Sequence, residues 1–128
     1  MVEQITSGIK ISVETNFEGT FFKHEKMHFA FEYQITIFNQ SNDVVQLESR
    51  QWIILDALNH TQEVSGEGVI GKKPVLHPGE SHTYRSGCLL QSPVGAMYGH
   101  YKMINFTTTS RFKVIIPTFK LSAPFALN

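Results

Sequence analysis

Met27 to Asn39, MHFAFEYQITIFN, is the stretch on which the fold reading turns. Met27, Phe29, Phe31, Tyr33, Ile35 and Ile37 recur at every second position, with His28, Glu32, Gln34 and Thr36 between them. That period of two is the mark of a strand with one face buried, because successive side chains of an extended chain point to opposite sides. The strand reading extends in both directions. Upstream, Ile9, Ile11 and Val13 repeat the alternation. Downstream, Asn39 to Asp43 (NQSND) reads as a turn, since short polar side chains hydrogen-bond their own backbone there. Val45 and Leu47 then share one phase while Trp52 and Ile54 fall on the other, so a bulge or bend is expected near Ser49 to Gln51.

Beyond this, Leu58, Asn59 and His60 are expected to turn the chain into a short strand ending near Val64. Glycines and Pro74 then break the periodicity until His77 to Glu80 (HPGE), where Pro78 presets φ and Gly79 tolerates a positive value. Strands are expected over Ser81 to Cys88, Ala96 to Ile104 and Arg111 to Ile116, with turns at Gln91 to Gly95 and Asn105 to Ser110. Pro117 should end the last of these or lie at a sheet edge, because it has no N–H for a central ladder. About seven strands with no helical crossover predict an all-β, antiparallel sandwich of immunoglobulin or fibronectin type III kind, with a closed barrel as the alternative. The 128 residues are read as one domain, 1–128, with loose ends at 1–6 and 122–128.

Composition narrows the function classes. Eleven basic residues balance eleven acidic ones, which gives no general argument for nucleic-acid binding. The distribution is uneven: no acid follows Glu80, while Arg85, Lys102, Arg111, Lys113 and Lys120 do. The lone Cys88 has no intrachain partner, which suits a reducing compartment, so a cytoplasmic location is expected. The opening MVEQITSGIK carries Glu3 and lacks an apolar run of signal-peptide length, and no stretch has the length of a spanning helix; a membrane protein is not expected.

Gly66-Glu67-Gly68-Val69-Ile70-Gly71 matches the GxGxxG phosphate fingerprint of dinucleotide-binding folds. That motif requires a helix after the glycines and an acid about 20 residues on; Pro74 occupies the helix, and no acid follows Glu80. A glycine-rich loop can still offer backbone N–H groups to an anion. The candidate ligand-binding set is therefore Gly66, Gly68, Gly71, Lys72 and Lys73, against the plainer reading that the glycines only permit tight turns. His24 with His28, and His77 with His82, are poorly spaced for a shared metal on strands. Cys88 lacks a nucleophile signature and reads as a core thiol. Asp56 could join a Ser and a His in a triad only through geometry that a sequence does not specify. No catalytic residue, metal site or cofactor is assigned.

Five segments in order resemble the ApaG family: FEYQITIFN from Phe31, VQLESRQWII from Val45, VSGEGVIGKKPVLHPGE from Val64, YRSGCLLQSPVGAMYGHY from Tyr84 and FKVIIPTFKL from Phe112. These are small bacterial proteins whose domain also occurs fused in eukaryotic F-box and polymerase-delta-interacting proteins. The resemblance implies a fibronectin type III-like fold, no established catalytic residues, and an association with cobalt resistance and magnesium efflux that a chain without a spanning segment would exert through a partner. A genetic link to dinucleoside-polyphosphate hydrolysis makes a phosphate-bearing small molecule the alternative ligand. The leading expectation is a non-enzymatic adaptor for an unknown protein partner; a ligand sensor comes second and an unrecognised hydrolase or metal-dependent enzyme third. Exposed sheet edges make a homodimer an open option.

Overall fold

The computed structural model describes residues 1–57 and 61–127, so the turn expected at Leu58 to His60 lies outside the described residues. The strands are β1 (Val2–Thr6), β2 (Ile9–Lys23), β3 (Lys26–Asn39), β4 (Val45–Asp56), β5 (Gln62–Glu67), β6 (Val75–Leu76), β7 (Ser81–Leu90), β8 (Val94–Asn105) and β9 (Ser110–Ser122). They form two antiparallel sheets, β1-β2-β3-β7 and β5-β4-β8-β9, with β6 on the edge of β4. This is the expected sandwich of fibronectin type III kind, and no described helix is long and apolar enough to cross a membrane.

The period-two residues fill the space between the sheets. Phe31, Tyr33, Ile35 and Ile37 from β3 and Ile9, Ile11 and Val13 from β2 meet Leu47, Trp52, Met97, Tyr101, Met103, Val114 and Ile116 from the second sheet. Trp52 is only 3 % exposed. Its ring lies 5.4 Å from Tyr33 and 5.8 Å from Phe119, the tilted and edge-on arrangements that aromatic quadrupoles favour. Two buried hydroxyls, of Tyr84 and Tyr101, hydrogen-bond each other across the core, so neither phenol is left unpaired.

Several boundaries differ from expectation. The first residues are not loose: β1 pairs with β2 from Val2↔Val13 to Thr6↔Ile9, and Thr6 Oγ1 accepts from Ile115 N at 3.2 Å on β9. The C-terminal end is tied down as well. Ala123 is buried and its N–H reaches Pro93 O at 2.9 Å, while Phe125 in a 3₁₀ turn (Pro124–Leu127) packs on Phe17 and Phe29. The β4 irregularity lies at Glu48, between Leu47 and Ser49, a position before the expected bend; it turns both Leu47 and Trp52 inward. Pro117 does not end β9 but takes the second of its two expected places, at a sheet edge. It falls where Met97↔Phe119 shifts to Gly99↔Ile116, in a bulge on the outer strand of its sheet, where no ladder N–H is needed.

Candidate functional site

Each glycine of the GxGxxG string has its own steric reason. Gly66 lies on β5 opposite Arg50, and a Cβ there would come within 2.8 Å of the Arg50 guanidinium. Freed from that clash, Arg50 Nη1 donates to Glu67 O at 3.0 Å and Gly68 O at 2.7 Å, pinning the strand end. Gly68 has φ of 61°, and a Cβ would run into the carbonyl oxygen of Lys72. Val69 and Lys72 exchange both backbone hydrogen bonds, at 2.8 and 3.0 Å, around Ile70 (φ 46°) and Gly71 (φ 71°). This is a two-residue turn of the kind that needs positive φ at both central positions.

The loop's polar groups are largely spent internally. The Gly68 N–H donates to Glu48 O, Val69 N–H to Lys72 O, and Lys72 N–H to Val69 O. Lys73 Nζ pairs with Glu67 Oε2 at 3.0 Å. The five candidate residues are thus neighbours in space, but three amides that an anion would use point to protein carbonyls.

A second region stands at the opposite end of the sandwich. β2 and β3 continue past their neighbours into a hairpin: β1 covers β2 only from Ile9 to Val13, and β7 covers β3 only from Phe29 to Phe38. The tip turns through His24 (φ 50°) and Glu25 (φ 63°). Two-residue turns of this type favour Asn-Gly, and a left-handed residue with a full side chain costs roughly 1–2 kcal/mol. Phe22 is 71 % exposed, Phe21 41 % and Met27 40 %, a group of large apolar side chains on one projecting element.

Beneath the hairpin lies a cleft of about 630 Å³, walled by Lys23, His24 and His28 on one side and Asp56 and Gln62 on the other, with Cys88 among its lining residues. Burial, and then the charge of Asp56, pushes the Cys88 thiol up to about 11, away from the thiolate form a nucleophile needs. Asp56 is engaged by Gln91 N at 2.7 Å and by the Ser92 hydroxyl. His28 stacks on Phe21, with ring centroids 5.8 Å apart, and its Nδ1 lies 3.1 Å from Lys26 O.

A family model described as the ApaG domain matches residues 19–105. The chain belongs to the ApaG family. It is 46 % identical over 123 residues to Protein ApaG of Acidithiobacillus ferrooxidans, covering 96 % of each chain. It is 42 % identical over 124 residues to Protein ApaG of Brucella abortus, covering 97 % of this chain and 95 % of that one. Among solved structures, a Bordetella pertussis protein described as ApaA matches with a TM-score of 0.80 at 34 % identity, over 91 % of this chain and 94 % of the other. An X-ray structure of a structural-genomics target reaches 0.86 at 38 % identity, over 91 % and 88 %.

In this ApaG chain His24 and His28 both line the cleft beneath the hairpin, while His77 and His82 do not converge. His77 Nδ1 faces Glu80 Oε1 at 3.0 Å, whereas His82 stacks on Tyr84. No group of three metal-ligating side chains occurs among the described residues. Sequence reasoning missed the hairpin as a site. The available signal was Phe21-Phe22, two adjacent aromatics that no single strand face can bury together.

Proposed function

We infer that this ApaG chain is a non-enzymatic protein-binding module that engages its partner through the β2–β3 hairpin and the cleft beneath it. One observation carries the reading: Phe21, Phe22 and Met27 are exposed together on a hairpin that overhangs both neighbouring strands. Aromatic side chains dominate the energetics of protein contacts, and unpaired strand edges offer a partner main-chain hydrogen bonds. The two non-glycine residues at positive φ in the tip support it further, since such strain is tolerated where shape serves something besides stability. The buried, unpaired Cys88 is in keeping with a reducing cytoplasm. An effect on cobalt or magnesium handling would run through the bound partner.

The test is retention of a partner from native lysate by the immobilised chain and by a Phe21→Ser, Phe22→Ser double variant. A protein retained by the first and lost by the second is the expected result; equal retention by both overturns the hairpin assignment. The alternative, a phosphate-bearing ligand at Gly66, Gly68, Gly71, Lys72 and Lys73, has weaker support because the Gly68, Val69 and Lys72 amides and the Lys73 ammonium already have partners. Calorimetric titration with pyrophosphate separates the two.

A further inference from the structure

The outer side of β2 changes character at Val13. From Ile9 to Val13 it is covered by β1, and from Glu14 to Lys23 no described strand pairs with it. A strand edge of this length without a paired neighbour, carrying exposed aromatics, tends to associate unless something blunts it, and on this one the Phe125 ring packs only against Phe17. We propose that the Glu14–Lys23 edge pairs antiparallel with the same edge of a second copy, about a two-fold axis between Glu18 and Gly19. The proposal rests on the hairpin being a protein-contact element, and it names the occupant of its β2 edge. The β3 edge and the cleft stay open to a different partner.

The bulge in β2 singles out this register. Around the axis, Glu14 faces Lys23 of the second copy, Thr15 faces Phe22, Asn16 faces Phe21 and Phe17 faces Thr20. Facing residues of an antiparallel pair must project on the same side of the sheet, and side chains alternate along a regular strand. Glu14 and Lys23 are an odd number of positions apart, so in an unbroken strand they would project to opposite sides. In this chain the register steps from Phe17↔Phe31 to Gly19↔Ala30, which uses up one residue at Glu18. Phe17 thus shares the core side with Phe31, and beyond the bulge Thr20 and Phe22 share it with Phe29 and Met27. The outer side holds Glu14 and Asn16 before the bulge and Phe21 and Lys23 after it. All four facing pairs therefore match in side.

The pairing is also chemically matched. It places a Glu14 carboxylate opposite a Lys23 ammonium twice, by symmetry, and lays the exposed Phe21 and Phe22 rings beside Asn16 and Thr15 of the other copy. Opposite charges directly across a strand pair favour association and like charges oppose it.

Sedimentation velocity over a micromolar to submillimolar series tests the register through charge reversal. The intact chain should show a concentration-dependent dimer. Glu14→Lys alone sets Lys against Lys, Lys23→Glu alone sets Glu against Glu, and each should raise the dimer dissociation constant roughly tenfold. Mixing the two single variants should restore dimer as a heterodimer, and the double variant should restore the homodimer. Both positions are surface sites, so at concentrations where every form is monomeric the melting temperatures should match that of the intact chain. A monomer throughout the series, a dimer indifferent to the single reversals, or a mixture that fails to recover overturns the proposal. Should the chain stay monomeric while the Phe21, Phe22 double variant still loses its lysate partner, self-pairing fails and the binding-module reading survives. Should the charge rescue succeed while partner retention ignores the hairpin, the opposite holds.

Discussion

The two ends of the sandwich follow opposite rules. At one end β3 finishes in Asn39, a fully buried polar residue whose side chain is used completely. Its Nδ2 donates to Asp43 O at 2.8 Å and Leu76 O at 2.9 Å, while its Oδ1 accepts from Ser41 N at 3.0 Å and Ser41 Oγ at 2.6 Å. Its backbone N–H reaches Glu80 O, and its carbonyl accepts from Gly79 N. One residue thereby joins the end of β3, the turn after it, β6 and the HPGE turn. At the other end the β2–β3 hairpin leaves both strands beyond their neighbours and places Phe22 in solvent. Polar satisfaction inside the chain marks the end that holds the fold, and unspent surface marks the end available to a partner.

The contrast is sharpest in what a single substitution should do at each end. Asn39→Ala leaves the carbonyls of Asp43 and Leu76 and the N–H of Ser41 without this partner; the Leu76 bond is buried and the other two partly so, and an abandoned buried polar group costs roughly 1–3 kcal/mol. Partial rescue by water brings the expected loss to about 2–4 kcal/mol by urea unfolding. A loss below about 1 kcal/mol would show that the Asn39 end is not what ties the sheets together. Phe22→Ser at the other end removes a larger side chain, yet it should change stability by less than about 0.5 kcal/mol because the ring is already in water. A cooperative loss comparable with that of Asn39→Ala would mean the hairpin belongs to the folding unit, and the division of labour would fail.

How much of this could be read from residue order depends on the range of the cause. The alternation over Met27–Ile37 acts locally, so β3 and its buried face were legible. Asn39 was legible as a turn residue; its bond to Leu76, 37 positions away, was not. Gly66 is the clearest failure of local reading. Its missing side chain makes room for a guanidinium 16 positions earlier, so a phosphate motif and a structural one share the same letters. The hairpin overhang depends on where β1 and β7 stop, which strand lengths alone do not disclose.

The smallest expected effect separates the ends by pH. His82 and His100 both sit below the ordinary histidine value: burial is the first cause for each, followed by Lys72 beside His82, and by Lys113 and Lys102 beside His100. Nε2 of His100 is buried with no hydrogen-bond partner among the described residues, in keeping with a neutral ring that gains nothing from a proton. Below an unfolded value of about 6.5 the unfolded chain takes up these protons before the folded one does. Stability contributed by the neutral rings is therefore complete above that pH and declines as pH falls from there toward the lowered folded values. Neither ring belongs to the hairpin tip. Glu80, at the Asn39 end, titrates in a separate window. Its carboxyl is lowered first by the His77 backbone amide, which donates to it at 2.7 Å, so its contribution is complete above the usual carboxylate value and fades as pH falls from there toward the lowered folded value. Denaturant melts at stepped pH should show a shallow decline beginning near pH 6.5 and a second one in acid. His100→Gln, which cannot titrate, should flatten the first step without touching the second. An unchanged first step in that variant would place its origin in His82.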